Sequence, residues 1–100
     1  MSLVLSGTLR FPEADLAAAD AALADMMQGC RAQPGCLACV YSRELAQPGL
    51  YRVFQHWQDE ALFMAGHEAP HFARWRLARE ALGMYDRRYV LHEVSATRDA

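Results

Sequence analysis

Four stretches of alternating apolar and polar residues, with helix-patterned segments between them, succeed one another along this chain as β-α-β-β-α-β. That order narrows the fold more than any single motif does. Leu3 to Arg10 alternates Leu3, Leu5 and Leu9 with Ser6, Thr8 and Arg10, a strand with one wetter face. Phe11-Pro12-Glu13 ends it, and Pro12 suits a helix start. From Glu13 to about Ala32, Leu16, Ala19, Leu23, Met26 or Met27, and Cys30 recur at helical spacing, with Asp15, Asp20 and Asp25 off that face and read as solvated. Pro34-Gly35 stops this helix. Cys36 to Glu44 reads as a second strand, with Leu37, Cys39 and Tyr41 on one face and Ala38 and Val40 on the other. Both faces are apolar, which predicts cover on both sides.

Ala46-Gln47-Pro48-Gly49 is a turn by composition. Leu50 to Trp57 is a third strand, setting Tyr51, Val53, Gln55 and Trp57 against Arg52, Phe54 and His56. Asp59 can cap a short helix running to Ala65, stopped at Gly66. A second helical segment runs from Pro70 to Gly83, with Phe72, Trp75 and Leu82 as its bulky side and His71 and Ala78 beside them. Arg87 to Thr97 alternates again as the fourth strand. The order predicts an α+β, ferredoxin-like fold over residues 1–100: a four-stranded antiparallel sheet with its helices on one face. The other face is left bare, with Tyr51 or Phe54 and Val90 or Leu91 as its apolar residues. A second copy of the chain is the simplest cover, so a homodimer is expected.

Composition bounds the function. One hundred residues make one domain, and 53% apolar with 22% charged residues excludes intrinsic disorder. The net charge of −2 provides no basic face for nucleic acid, and no apolar run approaches a membrane span. Met1 to Leu5 has no basic leader, so a cytoplasmic location is expected. All ten basic residues are Arg, and Lys and Asn are absent, which removes Schiff-base chemistry and any Asn-dependent mechanism. No phosphate-cradling Gly motif, catalytic carboxylate pair or Ser-His-Asp signature is visible.

Cys36 and Cys39 form a C-x-x-C, but strand residues three apart point to opposite faces and cannot share a metal. Cys30, Cys36 and Cys39 are therefore expected to be reduced, inert thiols. His67 and His71 stand four apart, a metal-ligating spacing on a continuous helix, but Gly66 and Pro70 interrupt it. No metal is expected.

Several pieces together resemble the antibiotic biosynthesis monooxygenase (ABM) family of the dimeric α/β-barrel superfamily. They are Pro34-Gly35-Cys36-Leu37 opening strand two, and Trp57-Gln58-Asp59-Glu60-Ala61-Leu62 closing strand three and opening a helix. His67-Glu68-Ala69-Pro70-His71-Phe72 follows. The resemblance implies oxidation of a small aromatic quinol or anthrone to a quinone with O₂ as co-substrate and no cofactor. In quinone-forming members the pocket is lined by the strand-three Trp, an Asn four residues before it and a helix Arg. Here Trp57 matches, Arg76 is the corresponding Arg, and Val53 stands where the Asn would be. A haem-degrading relative uses an Asn, a helix Trp and a His that this chain lacks.

A pocket is thus expected between the sheet and the second helical region, walled by Trp57, Phe63, Phe72 and Trp75, with His67 at its rim. Trp57 either anchors the core or orients a phenol through its indole N–H. His71 is either a structural imidazole or the general base, its ordinary pKa of about 6.5 suiting phenolic proton removal. Arg76 either holds a substrate oxyanion or joins Arg74 and Arg79 in a solvated basic face. His56 faces away from Trp57, toward the dimer surface, and His92 has no assignable place. The alternative function is a non-enzymatic dimeric domain that binds a small apolar ligand or serves in stress response.

Overall fold

The computed structural model describes all 100 residues. Strand β1 (Ser2–Arg10) leads through a short 3-10 turn (Glu13–Asp15) into helix α1 (Leu16–Arg31), followed by β2 (Cys36–Arg43) and β3 (Leu50–Trp57). Helices α2 (Glu60–Gly66) and α3 (Pro70–Ala81) precede β4 (Tyr85–Val94). The sheet order is β2-β3-β1-β4 with antiparallel neighbours throughout, the ferredoxin-like arrangement expected from the element order. Strand four starts two residues earlier and ends three earlier than the alternation suggested.

Alternation sorts the side chains. Leu3, Leu5 and Leu9 of β1, Cys39 and Tyr41 of β2, and Tyr51, Val53 and Trp57 of β3 are buried in the core with Ala19, Leu23, Met26 and Cys30 of α1. Asp15 caps α1 by accepting from the Ala18 N–H, and Asp59 caps α2 through Leu62 N–H at 2.8 Å. Asp20 and Asp25 are not merely solvated: Asp20 pairs with Arg43 and accepts from Tyr51, and Asp25 takes a bidentate pair from Arg74 on α3.

Two expectations about β2 fail for one reason, and a third fails for another. A bulge between Cys36 and Ala38 shifts the register, so Leu37 is exposed instead of joining Cys39 and Tyr41. The same bulge turns Cys36 toward α1, where its Sγ lies 4.0 Å from that of Cys30, and Cys30 also contacts Cys39. The thiols are unpaired but clustered, not split between faces. Burial raises the pKa of Cys36 to about 11, far from a reactive thiolate at neutral pH. As an edge strand, β2 is also covered by α1 on one side only.

The uncovered face has its own order. Val40, Phe54, Ser6 and Val90 form one row across the four strands, with Val40 43%, Phe54 44% and Val90 55% exposed. In the next row Val4 lies between His56 and His92, and His92 Nε2 meets Ser6 Oγ at 3.0 Å. Buried His56 Nε2 has no partner.

On the helix side, β4 approaches β1 closely at Gly7, where any Cβ would collide with the Arg88 carbonyl. Gly7→Ala should therefore lower stability by about 1–3 kcal/mol, the usual cost of overpacking, read from urea unfolding.

Candidate active site

Between the helix-bearing face of the sheet, α2 and α3 lies a cavity of about 270 Å³. Its position follows from local sequence. Asp59 starts α2 directly after Trp57, Gly66 ends α2 over the Trp57 ring, and Pro70 at its first turn starts α3 in a new direction. Strand residues form the floor and the two helices form the lid.

Trp57, Phe63, Phe72 and Trp75 all line the cavity, as the sequence suggested. Trp57 and Phe63 meet edge to face at 6.0 Å. The indole N–H of Trp57 is not free for a substrate, because it donates to Gln55 Oε1 at 3.0 Å. Gln55 Nε2–H in turn donates to the Tyr41 hydroxyl at 3.1 Å, and that hydroxyl lies beside Tyr89. Burial raises the pKa of both tyrosines, so at neutral pH they are protonated donors. Gln55, Tyr41 and Tyr89 were missed from sequence. Each alternates onto the helix-bearing face, and that was the available signal.

His67 and His71 both reach the cavity. The backbone carbonyl of Phe63 accepts from His67 Nδ1–H at 3.1 Å, which fixes the tautomer and leaves Nε2 as an acceptor. Its ring is held edge-on between Phe63 and Phe72 at 4.9 and 4.6 Å. His71 is 5% exposed, lies against the backbone of Gly29 and has no hydrogen-bond partner within the protein. Burial, then the neighbouring Arg74 charge, lower its pKa, while Asp25 opposes them. His71 is thus a neutral imidazole at neutral pH.

Arg76 does not line the cavity. It is exposed, its guanidinium 5.3 Å from the Phe72 ring centre on the solvent side. The helix stripe through His71 and Trp75 continues at spacing four to Arg79, which does line it, together with Arg87 of β4. No Asp or Glu reaches the lining, and no group of three or more His, Cys, Asp or Glu, the gathered thiols included, is arranged to hold a metal ion. No helix is long and apolar enough to cross a membrane.

The profile of the antibiotic biosynthesis monooxygenase family matches residues 2–77. The chain belongs to that family. Solved structures share the ABM fold across nearly the whole length. A candidate antibiotic biosynthesis monooxygenase from Deinococcus radiodurans is 22% identical over 98% of this chain and 97% of that one, with a TM-score of 0.89. A Pseudomonas aeruginosa protein is 22% identical over 95% of each chain, TM-score 0.85. SnoaB, a cofactor-independent oxygenase from Streptomyces nogalater, is 20% identical over 96% and 95%, TM-score 0.81. At these identities the likeness establishes the ABM fold alone. No curated protein matches the sequence.

Gln55→Leu should strand the Trp57 N–H without a partner in the cavity wall, while the Tyr41 hydroxyl keeps Tyr89. A loss of about 1–3 kcal/mol in urea unfolding is expected, the cost of one buried unsatisfied group.

Proposed function

We propose that this ABM protein is a monooxygenase that oxidises a small aromatic phenol, of the quinol or anthrone type, to a quinone with O₂ and no cofactor. The lining carries this reading: a neutral, unbonded His71 faces an aromatic-walled cavity that also holds an unpaired guanidinium, Arg79. The likeness to a cofactor-independent oxygenase supports it. A cavity of about 270 Å³ suits a substrate of one or two rings better than a larger one.

His71 accepts the phenolic proton, and His67 Nε2 accepts a hydrogen bond from a second polar group of the substrate. The anion, electron-rich and fixed between aromatic walls, passes one electron to O₂. The radical pair joins at the ring carbon conjugated with the oxyanion. Loss of water from the resulting hydroperoxide leaves a carbonyl. One oxygen atom ends in the quinone and the other in water, whose two hydrogens were the phenolic proton and the ring hydrogen. Arg79, not the exposed Arg76, stabilises the negative charge that forms as O₂ is reduced.

Oxygen uptake with a panel of naphthols and quinols, without added metal or flavin, tests the activity. His71→Ala should lower turnover about 10²–10⁴-fold, the usual loss with a general base. Arg79→Gln should cost on the order of 10²-fold, and Arg76→Gln about twofold at most, as for an exposed charge. The acid limb of the pH profile should fall below the ordinary histidine value of 6.5, because the fold holds His71 neutral to lower pH. The non-enzymatic reading is favoured by Val53 at the amide position. Absence of uptake with every phenol, alongside tight binding of one, would select it.

We also propose a homodimer through the bare sheet face. The exposed apolar row Val40–Phe54–Val90 supports it. Sedimentation should give a dimer at micromolar concentration, and Phe54→Glu should give a monomer. A parent protein that sediments as a monomer would remove this assembly.

A further inference from the structure

The arginine end of the cavity holds more positive charge than one phenolate can neutralise. Arg79 of α3 and Arg87 of β4 both line it. Their guanidiniums rest over aromatic rings, Arg79 at 5.9 Å from the Phe72 centre and Arg87 at 5.2 Å from that of Tyr89. Neither has a carboxylate partner. Arg10, Arg43, Arg52, Arg74 and Arg88, by contrast, each form an ion pair. Half-buried Arg79 has its pKa lowered by burial and then by the charge of Arg87, so the two cations oppose each other in the free protein. Arg87 is exposed and Arg79 half-buried, and an anion between the two would relieve their repulsion.

One phenolate neutralises only one of the two guanidiniums, so the reacting oxygen alone does not account for the pair. Eight residues separate His71 from Arg79, roughly 12 Å of helical rise. Trp57, Phe72 and Trp75 give the same cavity flat aromatic walls.

We propose that the substrate is an aromatic acid: a planar one- or two-ring phenol whose carboxylate, remote from the hydroxyl, sits between Arg79 and Arg87. This rests on the reading of the cavity as a substrate site. A planar carboxylate matches the guanidinium fork, and the Tyr89 hydroxyl is a further donor at that end. The charges then close. Two guanidiniums meet one carboxylate, leaving one positive charge for the negative charge developed in oxidation.

Titration of the parent protein with 6-hydroxy-2-naphthoate, its methyl ester and 2-naphthyl phosphate tests the assignment by calorimetry, without turnover. The acid should bind roughly 10–100-fold more tightly than the ester, as expected for charge-assisted hydrogen bonds. That advantage should vanish in the Arg79→Gln/Arg87→Gln double variant and persist in Arg76→Gln. Equal binding of acid and ester by the parent protein would overturn the proposal even if the double variant failed to fold. So would an advantage that survives the double substitution, or tighter binding of the phosphate than of the acid. Oxygen uptake is followed in parallel. Arginine-dependent binding of the acid with no uptake supports the carboxylate site and removes the oxidation reading, so the two fail separately.

Discussion

The seating of His71 on Gly29 fixes the rest of the cavity. Helices α1 and α3 cross where Gly29 has no side chain, and a Cβ there would fall on the imidazole ring. The ring is therefore held by backbone rather than by a hydrogen bond, which leaves its nitrogens free for a ligand. Because α3 runs unbroken from Pro70 to Ala81, fixing His71 also fixes Trp75 and Arg79 one and two turns on. The Arg74–Asp25 pair, at 3.0 and 3.1 Å, clamps the same seam from its solvent side. Exposed pairs contribute little to stability. At His71 the pair's two charges act oppositely, Arg74 adding to the burial that lowers the imidazole pKa and Asp25 opposing it.

The floor of the cavity is held by neutral polar groups. Trp57, Gln55 and Tyr41 form a buried chain in which each donor has an acceptor, so the polarity carries no unpaired group. Such a chain fixes the indole plane more firmly than packing alone would. It also takes over the side-chain amide that the family pattern places at position 53. Here Gln55, two residues later on the same face, supplies an amide, but it is committed to Trp57 and Tyr41 rather than to a ligand.

The fold was legible because its elements carry clean periods. Alternation placed β3 correctly to the residue, and Asp59, Gly66 and Pro70 marked the helix boundaries. Most of the aromatic wall was legible too, since Trp57, Phe72 and Trp75 fall on inward positions. Arg79 was available in principle: four residues beyond Trp75, it continues the stripe through His71, whereas Arg76 turns away. Motif correspondence pointed to Arg76; the cavity lining holds Arg79 instead. The bulge at Cys36 was not legible. A one-residue shift of register leaves no mark in the alternation around it, yet it exposed Leu37 and gathered three thiols on the inner face. The edge position of β2 was equally hidden, because apolar residues on both faces read the same whether the cover is a helix or another chain.

Strand β4 joins the two surfaces that matter most. Its inward residues Arg87, Tyr89 and Leu91 line the cavity, and its outward residues Val90 and His92 belong to the bare face. It pairs with β1 alone, and their closest approach is at Gly7, opposite Tyr89. An edge strand held from one side is the part of a sheet most free to move. Whatever seats against Val90 and His92 therefore also fixes the backbone that presents Tyr89 and Arg87. The outer face and the arginine end of the cavity thus share a single pleated strand.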